Sequence, residues 1–182
     1  MSHFNERFLN RRQYREIYGW RPPRVQSKRK SQRCVSNTVH DVQCRKRTAH
    51  TKKCWVHLAK QDNLRIKPSQ IPNAGKGLYA WKKPIPRGRI ISQYTGRKRT
   101  RQQIDRKYGD ATAQYTICNR RGRCIDANHT TDGAARFVND ARNSRFQNNS
   151  RIKGRSAFRL KATSTIQPHQ EIFTNYGRDY WL

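Results

Sequence analysis

Ala135-Arg136-Phe137-Val138-Asn139-Asp140 and, further along, Glu171-Ile172-Phe173-Thr174-Asn175-Tyr176-Gly177 are the two stretches on which the reading of this chain turns. Upstream of them lie Tyr94-Thr95-Gly96 and, first of the four marks, Gly75-Lys76-Gly77, which follows a proline and precedes an apolar step. Glycines so placed let a bent backbone approach another group closely. Each mark alone is weak. A single G-x-G occurs in many turns, and this one lacks the strand and long helix of a dinucleotide fingerprint. Their value lies in their order.

The texture around them from residue 71 onward is of short apolar pieces broken by turns. Ile90 to Tyr94, Gln114 to Cys118, Arg123 to Ala127, Ala157 to Ala162 and Glu171 to Thr174 read as short strands. Asn119-Arg120-Arg121-Gly122 reads as a hairpin tip, and Thr100 to Tyr108, closed by Gly109, as the clear helix of this half. The front is different. Asn5 to Tyr18 predicts a short helix stopped at Gly19, and residues 21–33, with two prolines and no periodicity, predict a basic extended linker. This gives a basic helix and linker over 1–33, a cysteine element over 34–62, and a mainly β domain with short helices (α+β) over 63–182.

Cys34, Cys44, Cys54 and His57 form a C-x9-C-x9-C-x2-H pattern. A closed structural zinc site needs four such ligands in a tetrahedron, and Cys54 and His57 can be offered by one turn while the nine-residue spans loop back. His40 and His50, inside the loops, compete as ligands. A disulfide reading is weaker, because intracellular thiols are normally reduced and the cysteine count is odd. Cys118 and Cys124 bracket the hairpin tip and are read as small strand hydrophobes.

Composition limits the partners. The chain of 182 residues carries 41 Lys+Arg against 11 Asp+Glu, a formal charge of +30, and only 33% hydrophobic residues. No apolar run approaches the roughly 18–20 residues that cross a bilayer, so a membrane-spanning role is excluded. The first residues show no apolar signal segment, which predicts an intracellular protein. Eight Tyr, six Phe and four Trp argue against wholesale disorder, and the small core they allow would benefit from a metal or a partner. A charge of this size makes DNA or RNA the default company.

Taken in order, the four marks resemble the SET-domain protein lysine methyltransferases. AGKGLYA resembles that family's opening glycine motif, QYTG its Y-x-G strand, and RCIDA the strand before its asparagine motif. RFVND resembles R-F-x-N-H, and EIFTNYG followed by Arg178-Asp179-Tyr180-Trp181 resembles the closing E-L-x-x-D-Y-G block. The resemblance implies a fold of small curved sheets in which the C-terminal segment passes under a loop as a pseudoknot, with the zinc-stapled segment placed ahead of it. It also implies S-adenosylmethionine as cofactor and a lysine-bearing, possible histone-like protein as substrate.

Carried over residue by residue, Gly75, Lys76 and Gly77 would meet the cofactor through backbone, Asn139 would hold its amino-acid end, and the backbone at Asp140 would approach the adenine. Tyr176 matches the active-site tyrosine, Tyr115 an aromatic lining the lysine channel, and Trp181 a ring that would stack on the adenine. Three positions depart from the pattern: Asp140 replaces the histidine, Arg97 the glutamate after Y-x-G, and Asn175 the aspartate before tyrosine. Thr174 stands where the family often has Phe or Tyr. No cysteine-rich segment follows the closing block, so Tyr180 and Trp181, the N-terminal segment or a second subunit would cover the channel, and a homodimer stays open.

Two functions compete on this sequence. One is a methyltransferase working near DNA or chromatin, in the nucleus. The other is a catalytically idle SET-like scaffold that binds RNA or DNA in a nucleoprotein particle, viral or ribosomal. Retained Tyr176, Asn139 and Tyr115 favour the first; Asp140 and Arg97 favour the second.

Overall fold

The computed structural model describes residues 31–109, 113, 115–128, 132–154 and 157–177. The predicted helix over 5–18, most of the basic linker, and Tyr180 and Trp181 lie outside them. Four small antiparallel sheets and two helices make up the described fold, the mainly β class read from the sequence. No described helix is long and apolar enough to cross a membrane.

The front element opens with β1 (Gln32–Arg33) paired to β2 (Arg47–Thr48). It is followed by α1 (Trp55–Asp62), a helix of eight residues where the sequence suggests a single turn. Asn63 ends this helix in the left-handed conformation, φ 55°, and returns its N–H to the Leu58 carbonyl. Leu58 carries α1 into the main core.

Three three-stranded sheets follow. β4 (Lys76–Ala80) lies between β3 (Leu64–Pro68) and β11 (Glu171–Ile172); its last four residues are buried. β10 (Phe158–Ala162) lies between β5 (Ile90–Tyr94) and β9 (Ser150–Lys153). Its burial alternates along the strand, as for a sheet with one face on the core. β8 (Arg123–Asp126) lies between β6 (Arg97–Thr100) and β7 (Thr116–Cys118). α2 (Arg101–Tyr108) begins at a full capping box in which Thr100 and Gln103 satisfy each other's backbone N–H groups. The inner faces meet around Leu78, Leu160, Ile166 and Ile172.

The cysteines at the hairpin tip correct the sequence reading. Cys118 and Cys124 face each other in the β7–β8 register and are joined as a disulfide, with Cα atoms 4.0 Å apart. Their direct cross-strand pairing brings the sulfurs together, so they are covalent partners and not two independent small hydrophobes.

Beside this hairpin, the buried Asp126 carboxylate meets Lys107 Nζ at 2.5 Å, the Tyr108 hydroxyl at 3.1 Å and the Asn128 N–H at 3.0 Å. Burial alone would raise its pKa; Lys107 and these donors outweigh burial and hold it below the usual value, while Lys107 is raised. The lowered acid stabilises the fold above the unfolded carboxylate range and loses that contribution as pH falls through its folded value. The raised lysine contributes below the unfolded lysine range and loses it as pH rises through its own. Lys107→Met should therefore cost about 2–3 kcal/mol at pH 7, discounted for the partly exposed ammonium. Denaturant melts should show the gap to wild type narrowing as pH falls below the usual carboxylate range, where the lowered Asp126 finally takes up a proton.

Candidate active site and metal centre

The site begins at a crossing of chain segments. Asn139 and Phe173 form a parallel bridge, with the Thr174 N–H donating to the Asn139 carbonyl at 2.8 Å. On the other flank Ser150 bridges Thr174, and its N–H donates to the Phe173 carbonyl at 2.9 Å. Since the loop 140–149 joins those flanks, the segment 171–174 runs beneath it. That is the predicted pseudoknot, an exception to the rule that chains do not thread loops.

Glu171 ties the crossing together. Its fully buried carboxylate accepts from Ser69 Oγ (2.8 Å), the Gln70 N–H (2.7 Å), Tyr79 Oη (2.9 Å) and Asn139 Nδ2 (3.3 Å). Burial and the neighbouring carboxylate raise the Tyr79 pKa, keeping it a donor. Gly77 is required here because a Cβ would fall on the Glu171 carboxylate. Asn139 also donates to the Lys76 carbonyl at 3.1 Å, so the opening glycine segment, the asparagine and the closing block are hydrogen-bonded as one unit.

Asp140 has a use the sequence did not reveal. Its buried carboxylate accepts from the Tyr176 N–H (2.8 Å), the Arg142 N–H (3.0 Å) and Asn148 Nδ2 (3.1 Å). Tyr176 is thereby anchored by its backbone, while its hydroxyl donates to the Val138 carbonyl at 2.7 Å.

These segments border a cavity of about 710 Å³. Among the predicted residues, Gly75, Asn139, Asp140, Tyr115 and Tyr176 line it. Lys76 and Gly77 do not; they support the wall through the Asn139 and Glu171 contacts. Trp181 lies outside the described residues. Tyr115 holds a left-handed φ of 59°, uncommon for an aromatic residue, and the Arg136 guanidinium sits 5.0 Å from its ring. Sequence reading missed Tyr94, Ile117, Ile152 and Arg136 as wall residues, although Tyr94 and Arg136 stand inside two of the quoted motifs. Thr174 also faces the cavity, is fully buried, and donates its hydroxyl to the Ser150 carbonyl at 3.2 Å.

The second constellation is the cysteine element. Ligand atoms of Cys34, Cys44, Cys54 and His57 all lie within 4.8 Å of one another. Cys34 and Cys54 Sγ each lie 3.4 Å from His57 Nδ1, and the Cys44 and Cys54 sulfurs are 4.0 Å apart. Tetrahedral zinc with bonds of about 2.0–2.3 Å places its ligands roughly 3.5–4 Å apart, so the set fits that ion. α1 supplies two of the four, Cys54 as its N-cap and His57 in its first turn. Burial pushes the Cys34 thiol up, but N–H donors from Cys54 and Ser36, with His57, outweigh it and bring the pKa down to about 6. Burial raises Cys54. His40 and His50 are outside this group.

Small antiparallel sheets, a closing segment threaded beneath a loop, and a cavity where they cross define the class: a SET-type fold. The family model for the SET domain matches residues 75–177, and the chain belongs to the SET-domain family. Among solved structures it is similar to a chain from a structure of ctPRC2 in complex with H3K27me3 and H3K27M, at 21% identity and a TM-score of 0.55. That match covers 78% of this chain and 17% of the other, so it speaks for the fold. No match was found among curated proteins.

Proposed function

We propose that the chain is an S-adenosylmethionine-dependent protein-lysine N-methyltransferase, with a lysine-bearing, histone-like substrate and a place of work near nucleic acid or chromatin. The observation that carries this reading is the meeting of Tyr176, Tyr115, Asn139 and Gly75 around one cavity. Its volume is within the range of about 300–1,000 Å³ typical of ligand sites, and Gly75 and Gly177, both at positive φ, would each point a Cβ into open space. A bulky cofactor can approach backbone closely at such points. The cavity fits S-adenosylmethionine, which would lie against Gly75, Asn139 and the Asp140 backbone. When bound, it supplies an electrophilic methyl group on a sulfonium.

The chain's own residues then have three tasks. Ile117, Ile152 and Val138 keep water from the lysine side chain. Among the described wall residues, two guanidiniums, Arg136 and Arg142, stand against one carboxylate, Asp140, which disfavours an ammonium and favours the neutral amine. Tyr176, whose hydroxyl hydrogen is engaged in a hydrogen bond to the Val138 carbonyl, accepts an N–H from that amine and so orients the lone pair for attack. A tyrosine with an ordinary pKa near 10 is a poor base at neutral pH, and orientation makes no such demand. Asp140 fits this reading, because its carboxylate is taken up by N–H donors that fix Tyr176. Zinc, held by Cys34, Cys44, Cys54 and His57, is structural.

The test is incubation of the purified chain with methyl-labelled S-adenosylmethionine and a panel of lysine-rich basic proteins, including histones. Label recovered on lysine Nε supports the reading. A chain that binds the cofactor yet labels no lysine in the panel argues against it.

A further inference from the structure

We infer that the surface built by Trp55, Arg65 and Trp81 binds single-stranded nucleic acid, with a base stacked on the Trp55 indole. Trp55 is 59% exposed, the most exposed aromatic ring among the described residues. An indole left so far in water costs hydration free energy. Its neighbours hold it ready. The Arg65 guanidinium carbon lies 4.7 Å from the Trp55 ring centroid and 3.9 Å from that of Trp81, and Trp81 meets His169 edge-on at 4.9 Å. Arg65 Nε is buried with no hydrogen-bond partner, so this cation is held by ring faces.

Further positive charge lies on the Trp81 side of this surface. Asn63, the cap of α1, accepts the Lys82 and Lys83 backbone N–H groups at 3.0 Å each and donates to the Lys83 carbonyl at 2.7 Å. Trp81-Lys82-Lys83 is thus pinned to the end of α1, and the exposed Lys60 lies one turn back along the helix. Asp62, the acidic residue of α1, is taken up by Lys53 at 2.6 Å. A stacking ring with a guanidinium against it and exposed lysines further along the same elements is the arrangement that single strands use, with bases on π-faces and phosphates on cations. A duplex hides its base faces, whereas a single strand exposes them to an indole.

This inference does not draw on methyl transfer and is tested without cofactor. The full chain is titrated into fluorescein-labelled oligothymidylate and oligouridylate, following anisotropy at several salt concentrations. Trp55→Ala should weaken binding to the better of the two about 5- to 150-fold, while Trp55→Phe keeps most of it. Lys82→Gln with Lys83→Gln should flatten the log–log salt slope by about 1.4, ~0.7 per lost phosphate contact. Melting curves check that each variant is folded. Unchanged binding by a folded Trp55→Ala, or equal competition by an unlabelled duplex of the same length, would overturn the assignment.

Discussion

Tyr176→Phe should lower methyl transfer by roughly ten-fold or more, with little change in cofactor affinity or melting temperature. The substitution removes one oxygen and keeps the ring. The backbone N–H of residue 176 still reaches Asp140, so the pseudoknot holds. What disappears is the hydroxyl that donates to Val138 and, on the proposed reading, accepts from the amine. Ten-fold is about 1.4 kcal/mol of barrier, a modest demand on one well-placed polar contact. Separate kcat and KM values make the test sharp: a loss in kcat fits orientation of the bound amine, whereas a loss confined to KM points to binding alone. Equal turnover would remove the tyrosine from the mechanism.

Cys54→Ser, or chelation of the metal, should be the largest blow to stability. The small core of the front element consists of Cys34, Cys44 and Cys54 with only the half-buried Val56 packed against them. Little apolar area is there to replace a metal, and in such elements metal binding supplies most of the folding free energy. Wild-type protein should carry about one zinc per chain by elemental analysis. Cys54→Ser should lose it and melt on the order of 10 °C lower. Because Leu58 of α1 packs in the main core, the damage should reach the SET domain. Metal-free protein that melts cooperatively at the wild-type temperature would defeat the account of this element.

The parts that were legible in the sequence are those in which a residue's neighbours in the chain decide its role. Cys54 and His57 share one helical turn, and Thr100 with Gln103 closes its own capping box. The family motifs are equally local, so the fold could be anticipated together with five residues of the cavity wall, Gly75, Tyr115, Asn139, Asp140 and Tyr176. Contacts across long separations were hidden. Asp140 looks like a stray charge until the Tyr176 N–H, 36 positions away, arrives at its carboxylate. Glu171 reads as the edge of a strand, yet it binds Ser69 across 102 positions. The Cys118–Cys124 bond depends on the hairpin register, which the two cysteines alone do not specify. α1 is hard to read from the sequence because it is only eight residues long and its N-cap is a cysteine, whose side chain makes no capping hydrogen bond.

The central claim, that the cavity at the pseudoknot is a working cofactor site, is tested most directly by calorimetric titration of the purified, zinc-loaded, nuclease-treated chain with S-adenosylmethionine. The account predicts saturable binding near one cofactor per chain with Kd on the order of micromolar, about −8 kcal/mol, weakened by Asn139→Ala. Absence of binding by protein that is folded and metal-loaded would contradict it.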